Sequence, residues 1–380
     1  MMMRKLFVLF LAFSLILMLP FPAYAEEEKL DFVKAKSVVL MCMDTGEVLY
    51  SENEYEHLSP ASVTKIMTLL LILEALENQQ ITLNDTVSAG PEAVSMGGSQ
   101  IWLEQGETMT VEELLKAVVI ASANDACTAL AEYVGGSTTG FVKMMNDRAA
   151  ELGLEHTNFE NCNGLDDTTV NHYSCAYDLA VISREVMKHE LITKYSTVWL
   201  DSLRDGKTEL NNTNKLVNSY NGITGLKTGT TSNAGFCVAA TATRDNMSLV
   251  AVVLGSDTSE DRFNTAASLL EWGFANYEIV KPEIDEAKIT DVKVLQGEQK
   301  SIKPVYNNNE MITVKRGAKE FTYDYDIKKE VTAPIKQGDI LGTVTISGEN
   351  GEVGKIELLS PDNVLKLTIK SIFLRFLLNI

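Results

Sequence analysis

The chain has 380 residues, 45% of them hydrophobic and 22% charged, a composition that excludes a disordered protein, a collagen-like fibre and a multi-span membrane protein. Lysine and arginine number 33 against 52 aspartates and glutamates, which gives a formal net charge of −19. We therefore expect no nucleic-acid partner, because phosphate binding needs clustered cations. The 5 cysteines form no CxxC pair and the 4 histidines no HExxH motif, so we expect no disulfide framework, no metal and no cofactor.

The N-terminal 25 residues have the three parts of a secretory signal peptide. Arg4 and Lys5 supply positive charge, an apolar stretch follows over 6–19, and a small-x-small cleavage site ends at Ala25. The apolar stretch is about 14 residues long, shorter than the ~20 that a spanning helix needs. We expect that 1–25 is removed and that the mature protein works outside the cytoplasmic membrane. The alternative is an uncleaved N-terminal anchor.

The elements predicted after the signal peptide mix strands with helices. The pattern SVVLMCMDTGEVLY at 37–50 predicts a β-hairpin, and a proline marks the start of a long apolar helix near Ala61. Thr110 and Glu113 fit an N-terminal capping box before a second buried helix. Further helices are predicted at 139–153, 177–189 and 261–277, and further strands at 235–243 and 248–255. Strands at both ends of a helical cluster predict one antiparallel sheet covered by helices, an α/β or α+β domain over 26–281.

The C-terminal part of the chain has a different character. Over 282–362, short β-prone segments recur about every 8–12 residues between turns, which is typical of a small β-sandwich or barrel-like domain. The last segment, 363–380, is amphipathic, and its charges, Lys366, Lys370 and Arg375, are all positive. We expect a helix that lies in the headgroup plane of an anionic membrane. The alternative is a final helix docked on the protein body.

The first motif that indicates chemistry is an SxxK sequence at the predicted helix start. Its spacing of three residues puts the Ser62 hydroxyl and the Lys65 amine on one helix face. A serine is a weak nucleophile and needs a base within hydrogen-bond reach. Burial and neighbouring cations can lower the pKa of a lysine enough for it to act as that base. On its own, however, the pattern also occurs by chance.

Two further motifs follow in chain order. Ser122 and Asn124 belong to a SAN sequence after an apolar helix, where a hydroxyl and an amide can relay a proton and orient a peptide. Lys227, Thr228 and Gly229 form a KTG sequence between turn residues and an apolar strand. A second ammonium there can change the electrostatics of the site, and the strand edge can pair with an extended substrate. The glycine lets the ligand backbone approach closely. Each motif alone also fits a cap or a turn, but the ordered combination is specific.

With these three motifs the chain resembles the low-molecular-mass penicillin-binding proteins, specifically the serine-type D-alanyl-D-alanine carboxypeptidases of peptidase family S11. The likeness runs through the whole chain and includes the stretches MGGSQIWLEQGE, SANDACTALAE, NFENCNGLDD, HYSCAYDLA and GITGLKTGTT. It implies a β-lactamase/transpeptidase-like catalytic domain of the α/β (α+β) class, followed by a small all-β domain and a membrane-anchoring helix. It also implies that β-lactams are covalent inhibitors.

The resemblance implies catalytic roles for four residues. Ser62 attacks the carbonyl between the two D-alanines of a peptidoglycan stem pentapeptide, and Lys65 takes its proton. Ser122 and Lys227 relay a proton to the leaving D-alanine, and water then hydrolyses the acyl-enzyme. The enzyme trims pentapeptides to tetrapeptides.

The resemblance also implies a substrate-binding set. Its members are Asn124, Thr228, Gly229, Thr230 and Arg262. Asn124 holds the peptide, and Thr228 and Arg262 bind the terminal carboxylate. The backbone N–H groups of Ser62 and Thr230 form the oxyanion hole. Relatives often carry a histidine or an aromatic residue in place of Thr230, and the SAN motif favours the carboxypeptidases over class A β-lactamases, which have SDN.

Two other functions stay open at this point. A β-lactamase needs a general base that discharges the acyl-enzyme quickly, and Glu160 is the nearest candidate. A wall-binding scaffold would have a vestigial site, against which the complete motif set argues. We interpret the other ionisable residues as structural. Asp166 and Asp167 predict a turn, and the histidines are expected to be core or surface residues.

Overall fold

The computed structural model describes residues 30–167, 169–349 and 351–369. The predicted signal peptide, 1–25, and residues 370–380 of the predicted anchor helix lie outside the described residues. The body described below begins at Lys34.

The first and larger part of the body contains nine helices and nine strands among its described residues. In chain order they are β1 (Ser37–Cys42), β2 (Val48–Glu52), α1 (Lys65–Glu77), β3 (Thr86–Ser88), α2 (Pro91–Val94), β4 (Thr108–Thr110), α3 (Val111–Ala121), α4 (Asn124–Gly135), α5 (Thr138–Glu151), α6 (Ala176–Met187), α7 (Glu190–Ser196), β5 (Leu200–Leu203), β6 (Thr208–Asn211), α8 (Leu216–Ser219), β7 (Ile223–Thr231), β8 (Gly235–Arg244), β9 (Met247–Ser256) and α9 (Ser259–Asn276). A 3₁₀ turn, Ala61–Thr64, leads into α1.

The main sheet of this part has five antiparallel strands in the order β2-β1-β9-β8-β7, while β3 pairs with β4 and β5 with β6 in two-stranded sheets. Side chains alternate across each strand, so the two faces of β9 pack against different helices. Val250 and Val252 belong to the large core that includes α1, whereas Leu249 packs against Gly273 of α9 on the other face. The predicted antiparallel sheet with covering helices is confirmed, and β7 forms one edge of it.

Helix α1 lies at the centre of the helical layer and is buried on all sides. Its residues from Lys65 to Leu73 are all buried, and it packs against α4, α5 and α6. A helix that is apolar all round belongs in a core, which explains the long hydrophobic run in the sequence. The ionisable residue of that buried run is Lys65, and it stands at the first position of the helix.

Local signals determine where several helices begin. At α3 the Thr110 side chain accepts from the Glu113 N–H, while the Glu113 carboxylate accepts from the Thr110 N–H over 2.9 Å. This is the predicted capping box. The predicted hairpin and the predicted helices and strands of this part are also present, with ends shifted by a few residues.

The C-terminal part is built from short strands. They are β10 (Tyr277–Val280), β11 (Val292–Leu295), β12 (Ser301–Ile302), β13 (Ile312–Lys315), β14 (Thr322–Ile327), β15 (Glu330–Thr332), β16 (Ile340–Gly348) and β17 (Gly351–Leu359). They form the sheets β10-β13, β12-β11-β15 and β14-β16-β17. Strand β10 follows α9 directly and pairs with β13, so a sheet joins the helical part to the β-rich part.

The start of the predicted anchor helix needs a correction. Val364 is buried and pairs with Ile335, and the N–H of Leu367 donates to the carbonyl of Gln296. Residues 363–368 are therefore extended chain that completes the β-rich part, because these pairings outweigh the amphipathic pattern. Of the described residues in this segment, Ile369 alone is helical. Within the described residues no helix is long and apolar enough to cross a membrane.

Candidate active site

The 3₁₀ turn before α1 presents Ser62. Ala61 has a left-handed backbone with φ of +47°, and the turn runs directly into α1 at Lys65. The predicted helix start is thus confirmed, with a tighter first turn than an α-helix would have. The turn places Ser62 Oγ 2.8 Å from Lys65 Nζ.

Lys65 is fully buried and held by three oxygen atoms. Besides Ser62 Oγ, its Nζ lies 2.6 Å from Asn124 Oδ1 and 2.7 Å from the carbonyl oxygen of Asn163. Burial lowers the pKa of Lys65 from its usual 10.5 to about 8. Neutral amine is therefore accessible near neutral pH, as a lysine base requires.

The break between α3 and α4 carries the SAN motif. Ser122 ends α3 in a left-handed conformation with φ of 61°, and Asn124 begins α4. The Asn124 side chain is fixed at both ends, because Nδ2 donates to the Gly97 carbonyl over 2.7 Å while Oδ1 accepts from Lys65. The Ser122 hydroxyl is buried and has no hydrogen-bond partner among the described residues. Buried hydroxyls are usually paired, so this group is free to bond a substrate.

The KTG sequence lies inside a strand rather than before one, which corrects the sequence interpretation. Lys227, Thr228 and Gly229 occupy the centre of β7 and pair with β8. A Cβ atom on Gly229 would lie 2.7 Å from the Pro60 carbonyl oxygen and 2.9 Å from Ser62 N. Only glycine therefore lets β7 pass this close to the nucleophile turn.

Lys227 is a second buried cation at the site. Its Nζ donates to the carbonyl of Thr228 over 3.0 Å, and no hydrogen bond joins it to Ser122 in the described residues. Burial first, and then the charges of Lys65 and Arg262, hold the pKa of Lys227 well below its usual value. Thr228 Oγ1 donates to Thr213 over 2.8 Å.

Arg262 projects from α9 to the end of β7. Its Nη1 donates to the Gly229 carbonyl and to Thr230 Oγ1, each over 2.9 Å, and to the Cys237 carbonyl over 3.1 Å. Its Nε has no partner among the described residues, and burial lowers the pKa of Arg262 to about 10. Arg262 and Thr230, assigned to one site by resemblance, do meet, whereas no hydrogen bond among the described residues joins Arg262 to Thr228.

A loop supports the nucleophile turn, a role that the sequence analysis did not assign to it. We call residues 158–167 and 169–173 the support loop, because Asn158 and Tyr173 pair at its ends. A Cβ atom on Gly164, whose φ is +83°, would lie 1.9 Å from the Ala61 carbonyl oxygen. The loop backbone thus lies directly against the turn that carries Ser62, and its Asn163 carbonyl holds Lys65. The sequence signals here, a glycine after an asparagine and two adjacent aspartates, indicate a turn but not this contact.

His172 fixes the support loop from its far end. The Glu160 N–H donates to Nδ1 over 3.0 Å, so Nε2 carries the proton and faces Thr64 Oγ1 at 2.8 Å. Burial lowers the pKa of His172 to about 4, which keeps the ring neutral. These contacts support the interpretation of His172 as a structural residue. The sequence did not predict that it lies under the nucleophile turn.

Glu160, the candidate base of the β-lactamase alternative, is engaged within its own loop. Its Oε2 accepts from the backbone N–H groups of Val170 and Asn171, over 2.8 and 3.1 Å. The side chain is exposed. Its hydrogen bonds therefore close the support loop instead of orienting a water molecule toward Ser62.

The residues brought together here are characteristic of one group of enzymes. A partly exposed serine hydrogen-bonded to a buried lysine at a helix start, a SAN turn and a KTG strand at a sheet edge are the arrangement of serine acyl-enzymes of the penicillin-binding protein and class A β-lactamase type.

Comparison with known proteins narrows this class to a family. The peptidase S11 model, described as D-alanyl-D-alanine carboxypeptidase, matches residues 24–258. A second model, described as penicillin-binding protein 5, C-terminal domain, matches residues 277–366. The chain belongs to the D-alanyl-D-alanine carboxypeptidase family. The family, the serine hydrolase class and the fold class predicted from the sequence are confirmed.

Individual relatives agree with this assignment. D-alanyl-D-alanine carboxypeptidase DacF of Bacillus subtilis (strain 168) is 44% identical over 325 residues, which cover 84% of this chain and 83% of the relative. Penicillin binding protein 5 from Haemophilus influenzae has a similar structure, with a TM-score of 0.78, 31% identity, and coverage of 88% of this chain and 98% of that chain. Ampicillin-bound penicillin-binding protein D2 from Listeria monocytogenes has a TM-score of 0.59 and 31% identity, and covers 64% of this chain and 98% of its own.

Proposed function

We propose that the protein removes the terminal D-alanine from peptidoglycan stem pentapeptides through an acyl-enzyme on Ser62, and that β-lactams acylate the same serine. The observation that carries this proposal is the contact of 2.8 Å between Ser62 Oγ and the Nζ of a fully buried Lys65 whose pKa is about 8. The complex of a relative with ampicillin supports the β-lactam part.

Lys65 is suited to the role of general base. In its neutral form the amine has two N–H donors and one lone pair. Asn124 Oδ1 and the Asn163 carbonyl can only accept, so they take both N–H groups. The lone pair then faces the Ser62 hydroxyl, which gives its proton to Lys65 as Oγ attacks the carbonyl between the two D-alanines.

The strand β7 is suited to hold the substrate. An extended peptide can pair with the edge of β7 as an added strand, while Asn124 bonds the peptide from the opposite side. The backbone N–H groups of Ser62 and Thr230 then bind the oxygen that becomes negative in the tetrahedral intermediate. Gly229 allows these two segments to approach each other.

The leaving D-alanine takes a proton as its C–N bond breaks. We assign this proton transfer to the buried hydroxyl of Ser122 together with Lys227, whose lowered pKa favours proton release. Thr228 and Arg262 attract the terminal carboxylate, the arginine acting from behind Thr230. Water then hydrolyses the ester and frees the tetrapeptide, and no cofactor is needed.

The domain arrangement and location are part of the proposal. Residues 1–25 direct secretion, 26–281 form the catalytic domain, and the β-rich domain of 282–362 continues to about residue 368. The remaining residues, with Lys370 and Arg375 among apolar side chains, hold the enzyme at the outer face of the anionic membrane.

The test compares two substrates on the same protein. Wild type and Ser62→Ala are incubated with diacetyl-Lys-D-Ala-D-Ala and, separately, with penicillin G. We expect wild type to release D-alanine and to be inhibited by penicillin G, and Ser62→Ala to release none. Rapid hydrolysis of penicillin G without D-alanine release would indicate a β-lactamase. Neither reaction from folded wild type would indicate a scaffold.

A further inference from the structure

One carboxylate of the support loop contacts both walls of the active site. Asp166 Oδ2 accepts from the hydroxyl of Thr231 over 2.5 Å and from the hydroxyl of Ser59 over 3.3 Å. Thr231 is the last residue of β7, and Ser59 lies just before the 3₁₀ turn. A hydrogen bond to an ionised acceptor is roughly twice as strong as a neutral one.

The two segments that Asp166 joins are those that carry the proposed oxyanion hole. Thr231 directly follows Thr230, and Ser59 lies three residues before Ser62. Other contacts of the support loop go to the nucleophile side: the Asn163 carbonyl on Lys65, Gly164 against Ala61, the Cys162 carbonyl on Thr68 and His172 on Thr64. The loop also bonds to Cys127 and Thr128 of α4 and to Asn146 of α5. Among the hydrogen bonds described for this loop, the bond from Thr231 to Asp166 is the one that reaches β7.

The contact to Thr231 fixes more than one side chain. Thr231 Oγ1 also accepts from the N–H of Ala234 over 2.9 Å, which orders the turn between β7 and β8. Thr230 is held by Arg262 from the other side. Two contacts therefore hold the Thr230 N–H in position. Asp166 bonds the adjacent Thr231, and Arg262 bonds the Thr230 side chain.

We propose that Asp166 is a positioning residue that sets the separation of the Ser62 and Thr230 N–H groups, an inference that rests on the proposed function. Oxyanion-hole donors must lie about 2.7–3.1 Å from the developing charge. A displacement of about 1 Å can cost a factor of about 100 in rate. A carboxylate that ties both segments to one loop limits such displacement before substrate arrives.

A purely structural role for Asp166 makes a different prediction. Loss of a loop contact would lower stability or the fraction of active protein, but each correctly folded molecule would turn over at the normal rate. Asp167 is a matched control, because it is the next aspartate in the loop and its side chain is exposed. Thr231 offers a second control, since serine keeps the hydroxyl that valine removes.

The experiment measures D-alanine release from diacetyl-Lys-D-Ala-D-Ala, normalised to active sites titrated with labelled penicillin. The variants, made in the full chain, are Asp166→Ala, Asp167→Ala, Thr231→Val, Thr231→Ser and the double variant Asp166→Ala/Thr231→Val. We expect Asp166→Ala and Thr231→Val each to lower kcat per active site about tenfold with KM changed less than about twofold. The double variant should lose little more than either single one, because both break the same contact. Asp167→Ala and Thr231→Ser should stay close to wild type.

Three results would overturn the inference: a kcat per active site in Asp166→Ala within about twofold of wild type, an equal loss in Asp167→Ala, or an equal loss in Thr231→Ser and Thr231→Val. Should Asp166→Ala fail to fold, the threonine pair decides the question. A wild type that releases no D-alanine would instead refute the proposed function, so the two failures are distinguishable.

Discussion

Replacing Lys65 with methionine is expected to lower D-alanine release by about 10³-fold or more, because general-base catalysis contributes roughly 10²–10⁴-fold and a serine without a base is a weak nucleophile. Methionine has a similar length and suits a fully buried position. Asn124 Oδ1 and the Asn163 carbonyl lose a donor, which costs about 1–3 kcal/mol each, while a buried charge is removed. We therefore expect folded protein, verified by thermal unfolding.

The pH profile assigns this loss to the base. Burial lowers the pKa of Lys65 to about 8, so the fraction of Lys65 with a neutral amine increases as the pH rises toward that value. At saturating substrate, the acylation rate of wild type should rise about tenfold per pH unit well below pH 8 and level off above it. The exposed lysine variant Lys143→Met should behave as wild type. Residual Lys65→Met activity that keeps the wild-type profile, or a loss below tenfold, would contradict the assignment of the base.

Gly164→Ala is expected to destabilise the protein by about 3–5 kcal/mol, the upper range for single substitutions. Two costs add at this position. The backbone has a φ of +83°, which is unfavourable for alanine by about 1–2 kcal/mol, and the new Cβ would lie 1.9 Å from the Ala61 carbonyl oxygen. Either the support loop or the nucleophile turn must move, so activity should fall together with the denaturant midpoint.

Gly153→Ala separates the two costs. Gly153 has a φ of +72° but no atom within 4 Å of an added Cβ, so only the backbone penalty of about 1–2 kcal/mol applies. Urea unfolding of both variants measures the difference. Equal destabilisation would mean that the support loop does not need its close contact with Ala61.

Elements with local signals could be predicted from the sequence. The capping box at Thr110 and the apolar run of α1 depend on residues within one or two turns, and both were present as expected. Residue types alone place the KTG sequence before its strand, because glycine and lysine are depleted in strands and glycines precede the motif. Its inclusion in β7 is decided by pairing with β8, which local sequence does not encode.

The support loop illustrates what sequence reasoning could not reach. Adjacent aspartates predict a turn, and nothing near Asp166 indicates its contact with Thr231 at the end of β7. The Asn163 carbonyl is a backbone atom and leaves no trace in the residue type, yet it is one of the three groups that hold Lys65. In the C-terminal part, pairing of Val364 with Ile335 likewise outweighs a helical pattern.

The nucleophile is tested most directly by intact-protein mass spectrometry of the full chain after brief incubation with penicillin G, followed by peptide mapping. We expect one penicilloyl group per molecule, attached at Ser62, and no adduct in Ser62→Ala or after prior denaturation. An adduct at another residue, Ser122 for example, or an adduct that persists in Ser62→Ala, would contradict the assignment of Ser62 as the nucleophile.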